Sequence, residues 1–380
     1  VTFDVGGPGI SNVPHVSKKT SKEAIGIVMV SDDRGESWKT QQTFPFWHAR
    51  PFAIGTQIYI LGNAGDLFII RSDDDDETWS VPHALTSDEL WHGSATGYVL
   101  EGSKVYICMD KRSRLDIKGW NVAGLTPVVL RGNASSNLLN PESWTFSNGP
   151  SYADLCPSDC GDFFGVPFYP CGTREPAMLE CGRVASPPGW LEGNVVRISD
   201  ARHIWHDSTQ STLHLFLRAN TNGHGYAAVV RAVEKHDGSI CIEPVSTPSG
   251  RKLVHLPMPG GSLKFYISYD AQSAMYWLAC SVVDDSMCKI SALPEGRHNL
   301  PSNQRNKLGL YFSRNCVDWM FAGMISQGNT EREARNYPSF IFDNDDLLIA
   351  ARSGDTEAKD GQYTNLITLH RVLNFRSLLY

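Results

Sequence analysis

No run of basic residues occurs in the 380-residue chain, and its net charge is −7. A nucleic-acid partner is therefore not expected, because phosphate contacts need clustered Lys and Arg. An anionic small substrate stays open, since a local Arg cluster can sit on an acidic protein. No apolar stretch reaches the roughly 20 residues that a spanning helix needs. A phosphate-cradling Gly-rich loop, a His-Glu-x-x-His pair and a Gly-x-Ser-x-Gly elbow are all absent, which sets aside nucleotide, zincin and α/β-hydrolase chemistry. Long helical periodicity is scarce, and no linker divides the chain, so one domain over residues 1–380 is expected. No signal segment is visible at Val1, and the expectation is that any such segment is removed or never existed.

What is present is period-two alternation between turn residues, as in Gln57–Leu61, Lys104–Cys108, Leu213–Leu217 and Leu347–Ala350. The fold class expected is all-β. Two stretches 41 residues apart, Ser31-Asp-Asp-Arg-Gly-Glu-Ser-Trp38 and Ser72-Asp-Asp-Asp-Asp-Glu-Thr-Trp79, repeat the pattern Ser-x-Asp-x-Gly-x-Ser/Thr-Trp. A third, shortened copy runs from Ser313 to Trp319. Ser and Asp bond the loop backbone, Gly supplies a left-handed turn residue and Trp packs the loop on the sheet. Asp76 stands where Gly is usual, and Asp tolerates that region better than most residues. The Asp73–Asp76 run reads as a calcium site or, more simply, as this hairpin loop. A repeat of this kind predicts a β-propeller; a six-bladed β-propeller fits best, and insertions leave five or seven blades open. Residues 1–42 are expected to complete a blade begun by the C-terminus, 45–84 and 91–148 to form blades, 150–190 to be a turn-rich insertion, and 307–372 to be the last blade. Cysteine is odd in number at nine. Cys156, Cys160, Cys171 and Cys181 fall in the insertion as zinc ligands, a disulfide pin or free thiols. Asn133-Ala-Ser135 is a glycosylation sequon.

The repeated pattern is the Asp box, and the chain resembles the Asp-box superfamily that contains the sialidases. The resemblance touches most of the chain through short motifs. Leu300-Pro-Ser-Asn-Gln-Arg-Asn-Lys-Leu308 is similar to the segment whose Arg binds the substrate carboxylate, which implies that role for Arg305. Tyr337-Pro-Ser-Phe resembles the nucleophile segment, which implies Tyr337. Glu192-Gly-Asn-Val-Val196 and His214-Leu-Phe-Leu-Arg218 resemble the segments that supply the Glu partner and the second Arg. Arg50-Pro51-Phe52 matches the first-Arg segment more loosely, without its Ile, and Asp66 is the candidate acid/base. The resemblance implies release of a terminal acidic sugar, sialic acid, from a glycoconjugate, with no cofactor and no metal, in a secreted or periplasmic protein. Three guanidinium groups on one carboxylate give planar, always-charged recognition. A Tyr nucleophile avoids driving a carboxylate against a sugar that carries one.

Other pocket residues stay open. His48 and His92 occur in matched Trp-His pairs and are candidates for general acid or base in place of Asp66. Lys264, Arg335 and Arg352 are further substrate-binding candidates. Trp120, Trp190 and Trp205 are either sugar platforms or core. Two alternatives remain: a hydrolase or lyase of uronic-acid polysaccharides using His48 or His92, and a non-catalytic glycan-binding propeller.

Overall fold

Strands that alternate in exposure bury one face only when sheets stack, and here the sheets stack around an axis. The computed structural model of the protein describes residues 1–6, 25–155, 175–178, 182–221, 225–298 and 304–380. Apart from one strand pair in the insertion, the strands among the described residues form six antiparallel sheets in chain order, a six-bladed β-propeller. Blade 1 holds Thr2–Val5, Ile25–Val30 and Lys39–Phe44. Blade 2 holds Trp47–Ile54, Gln57–Ala64, Asp66–Ser72 and His83–Ala84. Blade 3 runs from Trp91–His92 to Trp144–Phe146, and blade 4 from Gly189–Val196 to His255–Pro257. Blade 5 holds Tyr266–Asp270, Met275–Ser281, Lys307–Ser313 and Met320–Gln327, and blade 6 holds Arg335–Asp343, Asp346–Ser353 and Leu366–Val372. In blades 2 to 6 the first strand is the innermost, and the core lies between blades. Phe52, Tyr59 and Leu61 of blade 2, for example, pack on Val105, Ile107 and Leu130 of blade 3. Among the described residues no helix is long and apolar enough to cross a membrane.

Two boundaries differ from expectation. Residues 1–44 do not complete the C-terminal sheet: Thr2–Val5 pairs with Ile25–Val30, which pairs with Lys39–Phe44, and the last sheet closes on its own three strands. The last blade begins at Arg335, because Lys307–Ser313 pairs with Met275–Ser281 and belongs to blade 5. In the insertion, a short helix over Tyr152–Leu155 and a strand pair, Ala177–Met178 with Val184–Ala185, are described. Cys156, Cys160, Cys171 and Cys181 lie outside the described residues. Cys108, Cys241, Cys280, Cys288 and Cys316 are free thiols.

The Asp boxes act as hairpin locks. Asp33 accepts the Ser37 amide at 2.9 Å and its hydroxyl at 2.5 Å, and the Ser31 hydroxyl accepts the Gly35 amide at 2.6 Å. In the second box Asp74 accepts the Thr78 amide at 2.8 Å and Ser72 accepts that of Asp76 at 2.9 Å. Asp76 takes the left-handed position with φ 69°, and Cys316 does so in the shortened third copy with φ 56°. These bonds occupy Asp74 as a loop fastener, and no group of three or more metal-ligating side chains occurs among the described residues. The boxes lie at the end of the blades opposite His48, because Ser72 pairs with Ile58 while Asn63 pairs with Trp47.

Candidate active site

Three innermost strands break register at equivalent places. The shifts fall between Trp47 and Arg50, Leu191 and Asn194, and Asn336 and Ser339. Each bulge carries one non-glycine residue in the left-handed region: His48 at φ 60°, Glu192 at 59° and Tyr337 at 52°. That conformation costs on the order of 1 kcal/mol or more per residue, and a bulge re-aims the side chain it carries. The bulges belong to blades 2, 4 and 6 and point these side chains into the axial end of the propeller.

Around Tyr337 three guanidinium groups converge. Arg218 Nη1 donates to the Tyr337 hydroxyl at 2.9 Å and to Glu192 Oε2 at 3.3 Å. Arg352 lies on the Tyr337 ring at 4.0 Å from its centroid and Arg305 at 5.5 Å. Burial works against the Arg218 charge, but Tyr337 and Glu192 outweigh it and hold the group above its ordinary value. Arg305 is pushed down to about 10 by burial and by the charges of Arg218 and Arg352, with Tyr337 opposing. Nε and Nη1 of Arg305 and Nε of Arg352 are buried without a hydrogen-bond partner. Buried donors are normally paired, so these nitrogens have capacity for an acceptor. Tyr337 and Glu192 meet on one guanidinium nitrogen and do not bond to each other directly.

Lys264, in front of the first strand of blade 5, is buried and donates to the Pro338 carbonyl, one residue past Tyr337. Burial drives its ammonium down to about 7. It braces the Tyr337 bulge. Asn63 Nδ2 donates to the Trp91 carbonyl at 2.8 Å, which turns its Oδ1 toward His48 Nδ1, also at 2.8 Å. His48 Nδ1 is therefore the donor to Asn63, and Nε2 is left on the far side of the ring from Asn63. His92 stands edge-on to His48 with centroids 4.6 Å apart, and its Nδ1 accepts from Arg112 at 3.3 Å. Burial, then His48, Arg112 and Arg218, hold His92 neutral, so it offers an Nε2–H donor and no proton to release near neutral pH. Trp120 stacks over Arg218 at 4.8 Å and is 42% exposed at the mouth, whereas Trp190 and Trp205 are core residues.

Several sequence candidates lie elsewhere. Arg50 does not join the trio. It follows the bulge at His48, which turns it between blades 2 and 3, where it donates to the Cys108 carbonyl at 3.0 Å, to the Ser94 carbonyl and to the Thr96 hydroxyl at 2.7 Å. The third guanidinium is Arg352 instead. Asp66 is not free to serve as an acid: its carboxylate accepts the Thr86 hydroxyl at 2.8 Å and the Asp88 and Glu89 amides at 3.1 and 3.0 Å, which caps that loop. Arg335 is spent on the carbonyls of Ala334 and Gly354, both at 2.7 Å. Sequence reasoning missed Asp4 and Asp110. Asp4 lies on the inner strand of blade 1, accepts the His48 amide, and is raised by the protein around it while His48 and Arg352 oppose. Its side chain is nonetheless open to solvent on the axial side.

Asp110 sits beneath Glu192, accepting its amide at 2.8 Å, and burial pushes its carboxyl up to about 7 with the Glu192 charge adding to the shift. The folded value lies above the unfolded one of 3.8. Its stabilising contribution is therefore full below about pH 4 and lost as pH rises through 7. Between pH 4 and 7.5 the wild type should lose about 2–4 kcal/mol relative to Asp110→Asn in urea titrations. Parallel stability profiles for the two proteins would remove this titration.

No protein-family profile matches the chain, and no curated protein matches it. Among solved structures it is similar to a protein of unknown function from Dyadobacter fermentans, with 12% identity, TM-score 0.50, and 94% of this chain and 87% of that one covered. It is also similar to an alpha-L-arabinanase from Penicillium chrysogenum complexed with arabinobiose, at 8% identity, TM-score 0.45, and 92% and 85% covered. A third is a Trypanosoma rangeli sialidase mutant displaying trans-sialidase activity, at 12% identity, TM-score 0.36, and 91% and 56% covered. At such identities likeness speaks to the fold alone, a six-bladed propeller, and the chemistry of this chain rests on its own residues.

Proposed function

We propose that the protein is a retaining exo-glycoside hydrolase that removes a terminal acidic sugar, most specifically sialic acid, from glycoconjugates. The observation that carries this reading is the convergence of Arg218, Arg305 and Arg352 on Tyr337 with guanidinium nitrogens left unpaired. A sugar carboxylate supplies the missing acceptors in bidentate geometry. Bound so, the anomeric carbon lies over the Tyr337 oxygen. Glu192, held by the same Arg218 nitrogen, takes the phenol proton through one bridging water as Tyr337 attacks the anomeric carbon and the glycosidic C–O bond breaks. Asp4, which accepts the His48 amide at the axial end, is the carboxyl placed to protonate the leaving oxygen and then to deprotonate the water that releases the sugar. His48 fixes Asp4 through its amide, and Trp120 is the platform for the departing group.

A second reading rests on the His48–His92 pair. His48 Nε2, on the far side of the ring from Asn63, would abstract the proton beside a uronate carboxylate, giving a lyase. A panel of a fluorogenic sialoside, a neutral arabinofuranoside and uronate oligosaccharides separates the readings. Hydrolysis of the sialoside alone is expected. An unsaturated uronate product, lost in His48→Ala, would replace the first reading by the second.

A further inference from the structure

Five innermost strands begin at the axial end that carries the cluster, each placing a polar residue there: His48, His92, Glu192, Lys264 before Tyr266, and Tyr337. The sixth runs the other way. Val1 lies at the Asp-box end, exchanging two backbone bonds with Met29 at 2.8 and 2.9 Å, while Asp4 reaches the axial end beside His48. Thr2–Val5 thus has the direction of a second strand, such as Gln57–Ala64 of blade 2.

The packing agrees. Every neighbouring pair from blades 1–2 to blades 5–6 shares a buried apolar cluster. Among the described residues the seam between blades 6 and 1 has none: Ile25 and Ile27 cluster only with Phe3, Val5 and Met29 of their own blade. A cavity of about 440 Å³ opens on that seam and reaches across the axis, lined by Val1, Val28, Ser339 and Ile341 at the seam and by Pro51 and Tyr266 beyond it. Ile341 is 63% exposed although it lies on an innermost strand. The buried Nε of Arg50, without a partner, belongs to a residue that also lines the cavity. Since Val1 and Met29 form a bonded pair, alternation turns the peptide groups of Thr2 and Asp4 away from blade 1 toward the cavity, and no described strand pairs with that edge.

We infer that this seam is a site for one further β-strand, an extended segment of alternating apolar and polar residues joined to Val1 through a tight turn. It runs antiparallel to Thr2–Val5 and forms the innermost strand of blade 1. The same-chain source follows from Val1, whose nitrogen stands where Ile54 turns over to Gln57 in blade 2 and Asp343 to Asp346 in blade 6. The strand covers Pro51 and Ile341 with its apolar side chains. Its first residues arrive at the axial end beside Asp4, completing a ring of six inner-strand residues.

The test compares the 380-residue protein with forms extended at Val1 by an Asn-Gly turn preceded by six alternating Thr and Val residues, or by an equally long Gly-Ser segment. The strand extension should raise Tm and slow amide exchange at Thr2 and Asp4 by about tenfold or more. Proline at alternate strand positions, which removes N–H donors, should abolish both effects. Equal Tm and exchange for the strand and Gly-Ser forms would overturn the proposal. Protection that rises with protein concentration alongside dimer in sedimentation would overturn the same-chain source.

Discussion

Tyr337→Phe is expected to lower kcat for sialoside hydrolysis by about 10³-fold or more while leaving KM within a few-fold, because a nucleophile acts only after the substrate is bound. The change removes one oxygen. The ring that Arg352 covers at 4.0 Å stays in place, as does the bulge braced by Lys264 on the Pro338 carbonyl. Arg218 loses its 2.9 Å partner but keeps Glu192 and the Ser262 carbonyl, so the fold should hold. Glu192→Gln should cost roughly 10²–10⁴-fold, the range of a positioned base. The two losses should not add, since both residues would serve one proton transfer and share one guanidinium as partner. A Tyr337→Phe enzyme with wild-type kcat would remove the nucleophile from the mechanism. Additive losses in the double variant would separate Glu192 from it.

The propeller was legible because its signals are local. Ser31–Trp38 and Ser72–Trp79 each close a hairpin through bonds within eight residues, so their spelling survives without knowledge of tertiary structure. Even the Asp76 exception was legible, for its left-handed backbone is a property of one residue. Arg218, Arg305, Glu192 and Tyr337 were read from short motifs as site candidates, and the structure gathers all four. The misses have a common cause. Arg50 and Asp66 carry the right chemistry, but where they point is set by a bulge at His48 and by a loop at residues 86–89, and neither leaves a mark in the string of residue types. The three left-handed bulges were invisible for the same reason, because His, Glu and Tyr do not advertise positive φ as Gly does. Asp4 lies on a four-residue strand with no motif around it. Blade boundaries slipped at 307 because a strand's partner, unlike its existence, is a long-range property.

Arg305→Ala should cut kcat/KM for a carboxylated substrate by roughly 10²–10³-fold, the usual cost of losing one partner of a buried charge pair. Arg305→Lys should recover little of it, since a point charge cannot replace the planar fork. The loss should appear mainly in KM, and it should shrink to a few-fold against a substrate whose carboxylate is replaced by a carboxamide, which breaks the same contact from the other side. Stability should move in the opposite direction. Arg305 is 4% exposed, two of its guanidinium nitrogens lack partners, and Arg218 and Arg352 repel it. A cation held so costs the empty protein free energy that only a bound anion returns. Arg305→Ala should therefore match or exceed the wild-type Tm without ligand, and should not gain Tm from added free sialic acid, whereas the wild type should. A variant that loses activity and Tm together, and still responds to the sugar, would make Arg305 a structural residue and leave the carboxylate to Arg218 and Arg352.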